Sequence, residues 1–238
     1  MAVTLPRALL FDTFGTVVDW HGSIAREWNA LARAKGIKVT GARVASLWRA
    51  GYHPAMNRVR AGELGWTKLD GLHRLMLDDV LAQLGLTDAL TEKEKCELNL
   101  AWHRLKPWPD AVPGLKRLKK KFVIAPLSNG NVALLVNLAK HGGLPWDCVF
   151  SAEIFRHYKP DPETYLGAAE LLSLAPQEVM LVASHKSDLR AAARCGLQTC
   201  FVERPREFGS KPNPDLGAEA EFTLNVAGFG ELASQLEA

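Results

Sequence analysis

A chain of 238 residues, 47% apolar and 23% charged, is long enough for one large domain or for a core carrying an insertion, and has the make-up of a soluble globular protein. Its net charge of +3 is spread without a basic arm or a block of like charge, which speaks against a nucleic-acid partner, and it lacks any apolar run of the roughly 18 residues that a membrane-spanning helix needs. Cys96, Cys148, Cys195 and Cys200 lie far apart with no CxxC, and no leader pattern opens the chain, so reduced thiols and a cytoplasmic location are expected.

Residues 5–18 predict a first strand and its loop, in which the apolar run Leu9-Leu10-Phe11 ends on Asp12 and Gly15-Thr16 follow as a turn. Residues 22–36 predict a helix (Ile24, Trp28, Leu31, Ala32) stopped by Gly36. Residues 40–61 continue helically through Val44, Leu47, Trp48, Tyr52 and Met56 despite Pro54, and 62–66 form a loop. Helices over 68–84 and 91–105 complete a block with no strand-like alternation between 20 and 108. Pro107-Trp108-Pro109 and Pro113-Gly114 punctuate its end.

From there strands and helices alternate. Helices are predicted over 114–120, 131–141, 162–173, 187–195 and 228–236, and strands over 122–127, 148–151, 178–183, 198–202 and 222–224. Pro162 marks a helix start, and 203–219 reads as a surface loop. The alternation implies an α/β fold with a doubly wound parallel sheet. The predicted organisation is an α/β core formed by 1–18 and 109–238, with an all-helical cap at 19–108 and hinges near 17–21 and 106–110.

In open parallel sheets chemistry gathers at the carboxyl ends of the strands. Four stretches fall there. Asp12 ends the first strand, and is either a reactive carboxylate or a turn residue. Ser128 and Asn129, in Leu127-Ser128-Asn129-Gly130-Asn131, suit an anion or cap the next helix. Lys159 precedes the Pro162 helix, either paired with a carboxylate or substrate anion or exposed on the surface. Asp188, in Ser184-His185-Lys186-Ser187-Asp188, is a second strand-end acid or an N-cap. His185 is an acid–base group, a substrate-shaping residue or a structural histidine. The His185/Asp188 spacing has no third metal ligand nearby in sequence.

This order resembles the haloacid dehalogenase superfamily: Asp12 in FDTFGTVVDW, Ser128 in LSNGN, Lys159 in YKPDPETY and Asp188 in VASHKSDLRAAARCG. The resemblance implies a Rossmann-like core with the helical insertion as its cap. Similar phosphatases carry a second Asp two residues after the nucleophile to protonate a leaving alkoxide. That position is Phe14 here, which suits a halide, since halide leaves without a proton. The SNGN and KPDxxxY patterns and Trp48-Arg49 are similar to the L-2-haloacid dehalogenases of type II, whose best-known members have Asn at the position of His185.

The resemblance implies hydrolysis of short 2-haloalkanoic acids to 2-hydroxy acids through an aspartyl ester, with inversion at Cα. Asp12 is then the nucleophile and Lys159 its partner. Asp188 positions or deprotonates water, supported by Thr16, Ser184, His185 and Tyr165. Thr13, Phe14 and Ser128 hold the substrate carboxylate, and Arg49 and Asn129, with Tyr52 and Trp66, the halide. No metal and no cofactor are expected; the partners are the haloacid and water, and a homodimer is compatible with this plan. The competing readings are a magnesium-dependent small-molecule phosphatase and a non-catalytic ligand-binding protein.

Overall fold

A computed structural model describes residues 5–238; residues 1–4, where the leader reading begins, lie outside the described residues. Strand β1 (Ala8–Phe11) is apolar and wholly buried. Its side chains alternate between two cores, Leu9 and Phe11 in one and Ala8 and Leu10 in the other. A tight loop leads to β2 (Val18–Asp19). Asp19 then caps α1 (Trp20–Lys35) by accepting from the Gly22 amide at 2.7 Å.

The helix expected over 40–61 is two, α2 (Gly41–Ala50) and α3 (Tyr52–Arg60), divided at Gly51. The division places Pro54 in the first turn of α3, where its missing donor costs nothing. Next come α4 (Leu69–Gln83) and α5 (Glu92–Asn99), the latter started by a Thr91/Glu94 capping box. A 3₁₀ turn over Leu100–Arg104 replaces the expected end of that helix. The chain then forms β3 (Lys106–Pro107), which pairs antiparallel with β2. Neither of these short strands was expected, since two residues carry no periodicity.

Pro113 and Gly114 do not break the chain; they lie inside α6 (Ala111–Leu118). A Cβ at Gly114 would collide with Phe229, so glycine there permits close packing of α6 on the last helix. The alternating half follows as β4 (Val123–Ser128), α7 (Val132–Gly142), β5 (Phe150–Ser151) and the unexpected short α8 (Ala152–Phe155). It continues with α9 (Pro162–Leu171), β6 (Val179–Ala183), α10 (Lys186–Arg194), β7 (Gln198–Val202), β8 (Leu224–Val226) and α11 (Phe229–Gln235).

The main sheet has six strands in the order β5-β4-β1-β6-β7-β8, all parallel. The chain leaves β1 first towards β4 and β5, then returns to its other side for β6, β7 and β8. Strand order therefore reverses at β1, and in such sheets the crevice at that point takes the ligand. Asp12 is the first residue beyond β1, and its amide donates to the Val182 carbonyl at 3.0 Å. Helices α1 to α5 lie between the two halves of the β2–β3 ribbon, and their apolar faces merge with the Leu9/Phe11 core.

The stretch 203–219 is irregular, as expected, but is not merely surface. Arg204, Glu207 and Asn213 are buried. The Arg204 guanidinium donates to the Thr16 carbonyl at 2.9 Å and to both Asp110 oxygens at 2.9 and 3.0 Å. This loop is thereby fastened to the turn that follows Asp12.

Candidate active site

Parallel pairing puts the ends of β1, β4 and β6 at one edge, and Asp12 sits at its centre, 7% exposed. Its Oδ1 accepts from Lys159 Nζ at 2.9 Å. Its Oδ2 accepts from Thr16 Oγ1 at 2.8 Å and from His185 Nδ1 at 3.0 Å. Burial alone would raise the Asp12 carboxyl, but the Lys159 charge and the His185 hydrogen bond outweigh it and hold it well below the usual carboxylate range. The group is a carboxylate at any ordinary pH.

Lys159 is 8% exposed and bridges two acids, reaching Asp188 Oδ2 at 2.5 Å as well as Asp12. Burial would lower the ammonium, yet the two carboxylates raise it above the ordinary lysine value. Its backbone is clamped by Asn129, whose Oδ1 accepts from the Lys159 amide at 2.7 Å. Tyr165 donates to the other Asp188 oxygen at 2.5 Å. Burial first, then the Asp188 charge, push the Tyr165 phenol far up, so it stays a donor. Lys159 is therefore not a surface lysine, and Asp188 is not a helix cap: it lies in the first turn of α10 and turns its oxygens to Lys159 and Tyr165.

Thr16 gives its single hydroxyl proton to Asp12. It accepts from the Ser184 amide at 2.9 Å, and the Ser184 hydroxyl at 3.1 Å is then the donor of that pair. Ser128 accepts from the Gly130 amide at 3.1 Å, and Asn131, not Ser128 or Asn129, occupies the N-cap position of α7. The Asn131 side chain reaches Asp70 on α4 at 2.9 Å, tying sheet edge to helical block.

The helical block closes this edge with aromatic rings. Phe14 lies edge-on to Trp102 and His73, with ring centroids 5.8 and 6.3 Å apart. The Arg49 guanidinium stands 4.1 Å from the Tyr52 ring centroid and 5.5 Å from that of Trp20. His73 stacks on Trp102 at 4.1 Å and is wholly buried, and burial pushes its imidazole down to about 3, so it is neutral. Buried atoms of this wall have no protein partner: Arg49 Nη1, both His73 ring nitrogens, Trp102 Nε1 and Thr13 Oγ1. Unpaired buried donors are costly, and those of Arg49, Trp102, Thr13 and one nitrogen of neutral His73 collect beside the Asp12 cluster, where an anion would satisfy them.

Trp66 is the exception among the residues singled out in the sequence. It stacks on Tyr158 at 5.0 Å, in a surface cleft of about 460 Å³ lined also by Arg60, Arg156 and Asp161 and by none of Asp12, Lys159 or Asp188. It does not line the carboxylate cluster, because the loop at 62–66 carries its ring into the cleft beside Tyr158 and the start of α9.

Sequence reasoning missed Glu207, Trp20, His73 and Trp102. Glu207 is fully buried, and its Oε1 accepts from His185 Nε2 at 2.9 Å and from Trp20 Nε1 at 3.0 Å. It sits in an unpatterned loop, where an acid looks solvated. The one local trace is Gly15, with φ of +91°, where a Cβ would collide with the Glu207 carboxylate. His73 and Trp102 fall at ordinary core spacing in the helical block, and nothing in that spacing separates a ligand wall from packing.

The profile of the haloacid dehalogenase-like hydrolases matches residues 6–196. An (S)-2-haloacid dehalogenase 4A of Burkholderia cepacia is 30% identical over 219 residues, covering 87% of this chain and 88% of that protein. Two solved structures superpose over nearly the whole chain. The defluorinating L-2-haloacid dehalogenase Rha0230 does so with a TM-score of 0.95 and 44% identity, covering 98% of this chain and 96% of that one. The L-2-haloacid dehalogenase PA0810 does so with a TM-score of 0.93 and 46% identity, covering 98% and 99%.

Proposed function

The chain belongs to the haloacid dehalogenase-like hydrolases, and on that premise we propose that it hydrolyses short 2-haloalkanoic acids to 2-hydroxy acids with Asp12 as the covalent nucleophile. The observation that carries this reading is a buried, ionised carboxylate held by three donors, with an aromatic ring rather than an acid two residues on. The Asp12 carboxylate attacks Cα from the side opposite the halogen, inverts that carbon and expels halide. Lys159 keeps the attacking group charged and oriented.

Arg49 Nη1, unpaired and buried, lies in the wall where the halide or the substrate carboxylate gathers charge. Asn129, between Tyr52 and Lys159, Thr13 Oγ1 and Ser128 complete the binding surface. Tyr165 and Lys159 orient Asp188, which takes a proton from the water that opens the ester at Cγ, with Thr16, Ser184 and His185 in support. The division into core and cap at the β2–β3 ribbon belongs to the same reading, the cap supplying Arg49 and the rings.

Phe14 has no proton to give to a leaving alkoxide, which disfavours phosphate-ester hydrolysis. Both Asp12 oxygens are engaged by protein donors, which supports a reaction that proceeds without a divalent metal. The four cysteines are free thiols, which supports a reducing, cytoplasmic setting. Among the described residues no helix is long and apolar enough to cross a membrane.

The test is halide release from fluoro-, chloro- and bromoacetate and from both 2-chloropropionate enantiomers, with and without EDTA. Release from the (S)-enantiomer that survives chelation is expected. Phosphatase activity abolished by EDTA, with no halide release, would replace this reading.

A further inference from the structure

Both ring nitrogens of His185 face carboxylate oxygens, Nδ1 at 3.0 Å from Asp12 Oδ2 and Nε2 at 2.9 Å from Glu207 Oε1. Neither oxygen carries a proton to donate: Asp12 is held as a carboxylate beside Lys159, and the Glu207 carboxyl, whose Oε1 accepts from Trp20, lies below its usual range despite burial. Two acceptors call for two donors, so the ring carries both protons and is a cation. The charged groups around it agree. Asp12 and Glu207 touch it; Lys159 and Asp188 stand behind Asp12; Arg49 and Arg204 lie near Glu207, and His53 on α3 is close enough to feel its charge. Burial would lower His185, but the Glu207 charge and the Asp12 hydrogen bond outweigh it and raise it to about 10. A histidine already protonated cannot be the base that activates water.

The two Asp12 oxygens are also unequal. Oδ1 has one donor, Lys159, and Oδ2 has two, Thr16 and His185. We propose that Oδ1 is the oxygen that is alkylated, that Thr16 and cationic His185 form an oxyanion hole on Oδ2 for hydrolysis of the resulting aspartyl ester, and that Glu207 is the positioning residue that keeps His185 charged. The proposal rests on the covalent reading above and assigns its second half.

In the ester, Oδ2 is the carbonyl oxygen and Oδ1 is bonded to the substrate carbon. Water adds its oxygen to Cγ and gives one proton to Asp188, while the Cγ–Oδ2 π pair moves onto Oδ2. There it meets the Thr16 hydroxyl and the imidazolium, donors already in place before charge develops. The pair returns, the Cγ–Oδ1 bond breaks, and Oδ1 leaves with the 2-hydroxy acid, protonated by Lys159, which regains its proton from Asp188. The remaining water proton passes to solvent. Asp12 keeps Oδ2 and the water oxygen.

The test is a single turnover of Glu207→Gln with (S)-2-chloropropionate, following chloride release and intact protein mass together. Removing the counter-charge slows hydrolysis by about 10- to 100-fold, and slows it more than alkylation, so a chloride burst appears and the ester adduct accumulates. The alkaline limit of hydrolysis moves to lower pH, and Glu207→Asp restores part of both effects. Chloride release and hydrolysis falling equally, with no adduct and an unmoved pH limit, would overturn the proposal. So would a wild-type hydrolysis rate that climbs as His185 loses its proton. If circular dichroism shows that the Gln variant does not fold, His185→Ala, which removes the donor altogether, decides by the same readouts, with adduct accumulation supporting the proposal and its absence overturning it. A wild-type protein that releases no halide from any 2-haloacid refutes the covalent reading itself, a separate outcome.

Discussion

The sheet edge and the helical wall that faces it are built on opposite terms. At the edge, Asp12, Lys159, Asp188, Tyr165, His185 and Glu207 form one chain of hydrogen bonds, in which nearly every buried charge meets an opposite charge. Across from it, Arg49, His73 and Trp102 present buried donors that no protein atom accepts. Within that chain Glu207 Oε2 has no protein partner, but the paired charges hold the Asp12 carboxylate in one pose and one protonation state. An unsatisfied network stores the interactions that only a ligand completes. The machinery thus divides between a rigid ionic half and a receptive aromatic half, joined by the Asn131–Asp70 contact and the β2–β3 ribbon.

The largest break in this comparison comes from Lys159→Met. It leaves two buried carboxylates facing each other, so it should cost about 3–5 kcal/mol of stability and at least about 100-fold in turnover, read by denaturant melts and halide release. Arg49→Leu strikes the receptive half. It should reduce halide release by roughly 100-fold while the melting midpoint stays level or rises, because it removes an unpaired buried donor. A midpoint that fell as far as that of Lys159→Met would erase the distinction between the two halves.

The pH dependence sharpens it further. His185 is raised in the fold from 6.5 to about 10, so its contribution to stability is complete below about 6.5 and is lost as pH climbs through about 10. Urea midpoints should therefore decline across that window, and Glu207→Gln should lessen the decline. Asp12, held low, has the opposite sense: its contribution is complete above the ordinary carboxylate range and is lost only in strong acid. The smallest effect belongs to Trp66→Ala. Its ring stacks in the outer cleft, so turnover should stay within about two-fold of wild type, the scale of a change away from the reacting atoms.

How far the sequence carried this picture depended on the kind of signal. The apolar runs of β1, β4 and β6 and the acids and hydroxyls at their ends are local, so Asp12, Ser128 and Asp188 were legible at the sheet edge. Lys159 was legible as well, from its place before Pro162. The resemblance added Arg49 and an expectation for Phe14. Glu207 was not legible, because its burial arises from Arg204 and Asp110 fastening an irregular loop over the Asp12 turn. The division at Gly51 and the two-residue strands of the ribbon escaped for a related reason: tertiary packing, not periodicity, decides them. Trp66 was misplaced because an aromatic residue in a loop carries no direction.

The central claim is that the Asp12 side chain itself becomes esterified. One turnover in heavy-oxygen water with enzyme in excess, followed by mass spectrometry of the peptide carrying Asp12, tests it most directly. Label in the Asp12 carboxylate, with none in the hydroxyl of the first product formed, is the predicted result. Label in that hydroxyl and an unlabelled Asp12 would mean that water attacks the substrate directly, and would contradict the account.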